Sequence, residues 1–306
     1  MKIKKIIIYI GLLMPFLWAC EDVVKVNLNE SAAILTIDAF INQDIAKQTI
    51  RISNTAPYFQ NQATPAVRGA IVTVTNTTSG TVYTFVDRGN GNYEYTSPNG
   101  TPLGRVGDTY LLNVRYNGED YTSQCTSNRT AVVDSIVYEF EEVPASNTNA
   151  KTGYYAEFYG FDVKGKTDFY WARGYKNGVF NSNPNDVNYI ADATRNYAPG
   201  VQGSDGLPFI APVRDRMTNS LDPYQVGDSA VVEIWSINED TYEFLRQAEA
   251  QMTNGGLFAR IPENVKTNII PRNNAANRVL GWFCVSEINR RGLRIKQLEK
   301  GKKGKG

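Results

Sequence analysis

The first half of the chain alternates apolar and polar residues over short stretches, and turn sequences separate these stretches at regular intervals. In residues 33–41 (AILTIDAFI) every second side chain is apolar, which predicts a strand with one buried face. Gly89-Asn-Gly-Asn92 and Asn117-Gly118 predict tight turns, because glycine and asparagine tolerate a positive φ. About seven short strands within about 100 residues indicate an antiparallel β-sandwich. We therefore assign residues 31–128 to a β-sandwich domain.

The second half of the chain predicts a second β-rich domain with one clear helix. Residues 129–153 contain a linking strand and a polar loop, and residues 154–290 continue with aromatic-rich strands. Ser236 and Glu239 have the spacing of a capping box, and apolar residues then recur at helical intervals. This pattern predicts a helix near 238–252. The whole protein is therefore predicted to be mainly β.

Two segments of the second half lack regular patterning. Residues 176–223 are rich in Asn, Asp, Pro and Gly, and they predict long loops. Residues 291–306 form a basic tail, and its last part, residues 301–306, is predicted to be disordered. Long loops on a rigid scaffold often carry function, so we take 176–223 as the preferred contact region.

Composition excludes several classes of active site. The chain has no histidine, which removes a Ser-His-Asp triad, a Cys-His dyad and a histidine-ligated zinc. Its 32 basic and 31 acidic residues balance, so nothing in the net charge favours nucleic acid as a partner. The acidic residues of the loops are Asp186, Asp192, Asp205 and Asp215. They are scattered and lack the spacing of a calcium loop, so no metal and no cofactor are predicted.

The N-terminus has the organisation of a lipoprotein signal peptide. Three lysines precede an apolar run over residues 6–18, which is short for a bilayer span. Leu17-Trp18-Ala19-Cys20 follows and resembles a bacterial lipobox. We therefore predict a signal peptide over 1–19 and a lipidated tether over 20–30. The predicted acyl chains on Cys20 include palmitate. An uncleaved membrane anchor and a plain secreted protein are the alternatives.

Two further groups of side chains are candidate sites. Cys125 and Cys284 lie on apolar strands, where they form either a disulfide or two reduced core thiols. Tyr170, Trp171 and Tyr175 belong to an aromatic run that is a candidate stacking platform for a sugar or peptide. The alternative for these aromatic residues is ordinary sheet core.

The order of motifs resembles a known family. The Gly89–Tyr93 turn followed by Gly107-Asp-Thr-Tyr110 is similar to an immunoglobulin-like or transthyretin-like module. Together with the lipobox, the helix sequence SINEDTYEFL and Val279-Leu-Gly-Trp-Phe283, it resembles the Bacteroidota lipoproteins grouped as domain of unknown function 4249. That resemblance covers about residues 25–290. It implies an accessory role beside TonB-dependent outer-membrane receptors, and it carries no catalytic residues.

These observations lead to one functional expectation and two alternatives. The expected protein is a membrane-anchored envelope lipoprotein, without enzymatic activity, that serves as an accessory or ligand-binding partner of a TonB-dependent outer-membrane uptake system. Its expected location is the outer membrane, on either the periplasmic side or the cell surface. The alternatives are a structural or adhesive surface lipoprotein and a hydrolase of the envelope that uses carboxylates.

Overall fold

The computed structural model describes residues 32–56, 63–191, 205–211, 213–255, 265–299 and 301–306. The signal peptide over 1–19, Cys20 and the tether over 20–30 lie outside the described residues. Within the described part of the chain, no helix is both long enough and apolar enough to cross a membrane.

Strands account for most of the regular structure. In the first half they are β1 (Leu35–Asn42), β2 (Gln48–Asn54), β3 (Ile71–Asn76), β4 (Thr81–Asp87), β5 (Asn92–Tyr95), β6 (Thr109–Tyr116), β7 (Glu119–Thr126), β8 (Val132–Glu141) and β9 (Gly153–Phe161). The second half contains β10 (Phe169–Lys176), β11 (Val179–Phe180), β12 (Asn188–Ala191), β13 (Ser229–Ile237), helix α1 (Glu239–Met252), β14 (Ile270–Pro271), β15 (Val279–Ser286), β16 (Ile288–Arg294) and β17 (Gly304–Lys305). The prediction of a mainly β protein with one clear helix is confirmed.

The N-terminal half forms a nine-stranded sheet that folds over one core. The strand order is β14-β7-β6-β3-β4-β5-β2-β1-β15. The alternating apolar residues point inward, and Ile37, Ile52 and Leu112 are fully buried there. The two ends of the sheet meet, because the Asn268 side chain, just before β14, bonds the backbone N–H and C=O of Phe283 in β15 at 2.9 and 2.8 Å.

β15 comes from the part of the chain that the sequence assigned to the second domain. It pairs in parallel with β1, from Leu35 opposite Val279 to Asn42 opposite Ser286. A strand from residues 154–290 therefore completes the sheet of the N-terminal sandwich. Parallel pairing requires a long connection, so short-range patterning does not indicate it.

The remaining strands form two smaller sheets around a second core. One has the order β11-β10-β13-β16, with β12 on β10, and the other has the order β17-β8-β9. Ile136 and Phe158 from the three-stranded sheet pack with Val232 and Ile234 from β13, and all four are fully buried. One face of β10 and β13 therefore belongs to this second core, and their other face turns toward β1.

The structure differs from the sequence-based expectation at three places. Asn238, rather than Ser236, is the N-cap of α1, and its side chain accepts a hydrogen bond from Thr241 N at 2.8 Å. The expected loops over 176–223 contain β11, β12 and a short 3-10 turn over Pro184–Asp186. The expected tail is paired, since β16 lies on β13 and Gly306 exchanges two backbone hydrogen bonds of 3.0 Å with Ile136.

Candidate functional site

The alternation along β10 separates its aromatic residues onto two faces. Tyr170 points into the second core, where its hydroxyl donates to Asp162 at 2.6 Å. Trp171 and Tyr175 point the other way, toward the outer face of β1. The ring of Phe40 on β1 lies 5.2 Å from the ring of Trp171, edge to face. Two of the three sequence-predicted binding residues therefore share one surface, and Tyr170 does not reach it.

Arg173 lies between Trp171 and Tyr175 on this surface, and aromatic rings hold its guanidinium. Its Cζ is 4.5 Å from the ring centroid of Trp171, 4.3 Å from that of Phe180 and 4.4 Å from that of Trp235. A cation over aromatic faces is attracted by the negative charge of those faces. Burial lowers the pKa of Arg173, but an arginine remains charged at neutral pH.

The hydrogen-bonding capacity of this guanidinium is not used by the protein. Arg173 Nε is buried without a hydrogen-bond partner, and no described residue accepts a hydrogen bond from the group. A buried donor that lacks an acceptor costs about 1–3 kcal/mol, so such an arrangement needs an explanation. Since the side chain is half-buried, its terminal nitrogens are the donors that a ligand's acceptors could reach.

Glu233 on β13 fixes the positions of the aromatic walls. Its Oε2 accepts from the Tyr175 hydroxyl at 2.8 Å and from Trp235 Nε1 at 2.7 Å. Its Oε1 pairs with Arg290 of β16, at 2.7 Å from Nε and 2.6 Å from Nη2. All these donors surround a carboxylate that is only 5% exposed. Glu233 is therefore committed to the fold and is not available as an acceptor for Arg173.

Asp38 supplies a negative charge near this surface. It lies on the outer face of β1, two residues before Phe40, and its side chain is exposed to solvent. Burial by the surrounding protein raises the pKa of Asp38, whereas the charges of Arg173 and Arg51 lower it. Among the described residues, no ion pair joins Asp38 to Arg173.

We call this surface the Arg173 site, and it consists of Asp38, Phe40, Trp171, Arg173, Tyr175, Phe180 and Trp235. It offers one fixed cation, one accessible carboxylate and partly exposed aromatic edges. A cation, a carboxylate and an apolar surface together suit the binding of a ligand. Sequence reasoning missed Asp38 and Arg173. The available signals were a charged residue in the middle of an apolar strand and an arginine that alternates with aromatic residues.

Comparison with known proteins gives the family. The model of the family described as Domain of unknown function (DUF4249) matches residues 21–291. The chain belongs to the DUF4249 family. The match covers most of its 306 residues, and it confirms the family to which the motif order pointed. No curated protein matches this DUF4249 chain.

The two cysteines of the DUF4249 fold core lie together. Cys125 and Cys284 are both buried and unbonded. Cys125 Sγ accepts a hydrogen bond from Val285 N at 3.4 Å, next to Cys284. Contact with the Cys284 thiol and burial raise the pKa of Cys125 well above its ordinary value. The Cys125 thiol is therefore protonated, and the two cysteines lie on β7 and β15, the strands that a disulfide would join.

We expect the Cys20→Ala chain, when refolded with oxidised glutathione, to form a Cys125–Cys284 disulfide. The two thiols lose two protons and two electrons, and the reagent is reduced to two thiols. Closing so long a loop should stabilise the fold by roughly 2–4 kcal/mol. Mass spectrometry would show the loss of two hydrogens, and urea unfolding would show a higher midpoint. A glutathione adduct on either cysteine, or an unchanged midpoint, would contradict the expectation.

Two cavities elsewhere in the DUF4249 chain also contain charged side chains. One of about 550 Å³ is lined by Gln43, Asp44 and Arg290 among others, but Asp44 and Arg290 already pair at 3.2 Å. Another of about 270 Å³ is lined by Glu139, Glu141, Asp215 and Lys303 among others. Within the described ranges, no group of three or more Cys, Asp or Glu residues could hold a metal ion.

Proposed function

We propose that this DUF4249 protein is a lipid-anchored lipoprotein of the bacterial envelope that binds a ligand at the Arg173 site. We further propose that it serves, without enzymatic activity, as an accessory partner of a TonB-dependent outer-membrane uptake system. The observation that carries the binding role is the guanidinium of Arg173. Aromatic rings hold it in place, no described residue accepts its hydrogen bonds, and the accessible carboxylate of Asp38 is near enough to interact with its charge.

The N-terminal sequence supports the anchor. Lysines, an apolar run and Leu17-Trp18-Ala19-Cys20 follow each other in the order that a lipoprotein leader needs. More than one acyl chain on Cys20 would hold the protein stably at a membrane, whereas a single chain binds reversibly. Glu21 and Asp22 come next and resemble the acidic tether of surface lipoproteins of Bacteroidota.

We expect the Cys20→Ala variant to lose acylation and to remain unprocessed, so that its uncleaved apolar leader keeps it out of the outer-membrane fraction. Removing the thiol removes the acylation site and blocks cleavage of the leader at that position, so the variant keeps a higher mass than the mature product. Mass spectrometry and fractionation of envelopes measure both effects. The Cys125→Ala variant is the matched control, and it should be acylated and fractionate like the native chain. An acyl-free native product would refute the anchor.

The proposed partnership is tested by affinity capture from outer membranes. The native chain should capture a TonB-dependent receptor, and Cys20→Ala chain added to solubilised membranes should capture it as well, because the contact is assigned to the folded body. Capture of no such receptor by either form would contradict the accessory role. It would favour the structural or adhesive alternative.

One observation keeps the hydrolase as a second candidate function. Glu141 and Asp215 line the cavity of about 270 Å³, and burial, then the charges of Glu139 and Asp215, raise the pKa of Glu141. A carboxylic acid with a raised pKa near a second carboxylate is the pairing that acid–base hydrolysis uses. Lys303 already pairs with Glu139 at 3.0 Å. If envelope fractions containing the native chain and the Glu141→Gln variant cleave glycosides equally, this candidate is dismissed.

A further inference from the structure

We propose that the Arg173 site recognises a ligand that carries a carboxylate next to a hydrogen-bond donor, either a hydroxyl or an ammonium group. The ligand carboxylate binds the guanidinium of Arg173, and the adjacent donor binds Asp38. This inference rests on the proposed function, in which the site binds a ligand, and it adds the chemical class of that ligand.

The carboxylate follows from the way in which Arg173 is held. Arg173 Cζ lies over the rings of Trp171, Phe180 and Trp235, at 4.3–4.5 Å from each ring centroid. Nε is fully buried whereas the side chain as a whole is half-buried, so the edge that carries the two terminal nitrogens is the surface left for a ligand. That edge is a fork of fixed geometry, and a carboxylate matches it with two parallel hydrogen bonds. Because the rings fix the plane, little freedom is lost when these bonds form.

The adjacent donor follows from Asp38. Asp38 shares the outer face of β1 with Phe40, which contacts Trp171, and its carboxylate interacts electrostatically with Arg173 without an ion pair between them in the described residues. An anion placed alone beside Arg173 would be repelled by Asp38. A hydroxyl or ammonium beside the ligand carboxylate turns that repulsion into a hydrogen bond.

The aromatic residues add an apolar surface to the same site. Trp171 and Trp235 are 9% and 4% exposed, so they act as walls. Phe40 and Phe180 are more exposed, and their rings lie 5.2 and 6.0 Å from the ring of Trp171. A flat or ring-shaped portion of the ligand would cover these edges, and its burial would add affinity.

Four small molecules separate these features. L-Phenylalanine presents a carboxylate, an ammonium and a ring, whereas 3-phenylpropionate lacks the ammonium. D-Glucuronate presents a carboxylate and hydroxyls, whereas D-glucose lacks the carboxylate. Titration calorimetry on the purified chain in mild detergent should show binding of phenylalanine or glucuronate or both. Phenylalanine alone would identify the ammonium as the donor, and glucuronate alone would identify the hydroxyl.

Variants assign the binding to the proposed groups. Arg173→Met keeps the bulk between the rings, and Arg173→Lys keeps the charge but loses the fork. Both substitutions should lower the affinity for whichever probe binds by about tenfold or more, and Asp38→Asn should do the same. Asp38→Asn should leave any binding of 3-phenylpropionate undiminished. The matched controls, Arg115→Met and Asp134→Asn, change exposed residues on β6 and β8 and should bind like the native chain. Circular dichroism confirms that each variant is folded.

Failure of the inference can be told apart from failure of the proposed function. If glucose binds as well as glucuronate and Arg173→Met abolishes both, the site binds ligands but the carboxylate assignment is overturned. If phenylalanine and glucuronate both fail to bind at millimolar concentration, the ligand class is overturned. Binding that is unchanged in folded Arg173 and Asp38 variants overturns the site itself. Acylation of Cys20 and receptor capture are measured separately and are unaffected by these results.

Discussion

Replacing Gly281 with alanine should destabilise the protein by about 3–5 kcal/mol or prevent folding. Gly281 lies in β15 opposite Ile37 of β1, with φ at +103°. A Cβ at this position would lie 1.9 Å from the backbone oxygen of Ile37 and 2.6 Å from its carbonyl carbon. Backbone atoms cannot move aside as a flexible side chain does. The substitution must therefore separate β15 from β1 and open the sheet where its two ends meet.

The matched control for this substitution is Gly80→Ala in the turn between β3 and β4. Gly80 has φ at +75°, but an added Cβ would meet nothing within 4 Å. Its cost is limited to backbone strain, about 1–2 kcal/mol. Urea unfolding followed by circular dichroism measures both variants. Equal midpoints for the two variants would contradict the claim that glycine is needed at position 281 because β1 and β15 approach closely there.

Replacing Glu233 with glutamine should cost about 2–4 kcal/mol, because it leaves a buried network incomplete. The native carboxylate accepts from Tyr175, Trp235 and Arg290 at 2.6–2.8 Å. An amide of the same size removes the charge that balances Arg290, and its NH₂ group faces donors. Because Trp235 also forms a wall around Arg173, the folded fraction of the variant should bind the probes more weakly as well.

The control for Glu233 is a carboxylate that pairs at the surface. Glu243 on α1 pairs with Arg246 at 2.8 Å, and both side chains are exposed. Water replaces such a pair easily, so Glu243→Gln should change the unfolding midpoint little. Urea unfolding and calorimetry on the two variants give stability and binding separately. If Glu233→Gln behaved like Glu243→Gln in both, Glu233 would have no part in holding the aromatic walls.

Local patterning predicted the strands but gave no information on which distant strands pair. The alternation in residues 33–41 marks β1, and the turns at 89–92 and 117–118 are present, because each depends on neighbouring residues only. Parallel pairing of β1 with β15 joins residues far apart in the sequence, and no local period indicates it. The pairing of β17 with β8 uses backbone groups, which a composition of glycine and lysine does not reveal.

The candidate site was predicted only in part, because it too depends on contacts between distant segments of the chain. Trp171 and Tyr175 were found from their aromatic character, while Tyr170 was grouped with them although alternation turns it into the other core. Asp38 and Arg173 were missed because the site requires β1 to face β10, and this follows from the packing of two sheets. A charged residue inside an apolar strand is a usable signal only when the opposing surface is known.

The most direct test follows the indole N–H signals of the tryptophans by NMR while phenylalanine or glucuronate is added. Trp171 and Trp235 contact Arg173, whereas Trp282 is buried beneath α1 with its indole bonded to Thr241 at 2.9 Å. Saturable shifts of the Trp171 and Trp235 signals, with Trp282 unchanged, are expected if ligand binds at Arg173. Shifts confined to Trp282, or no shift of any indole while calorimetry shows binding, would place the ligand elsewhere and contradict the assignment.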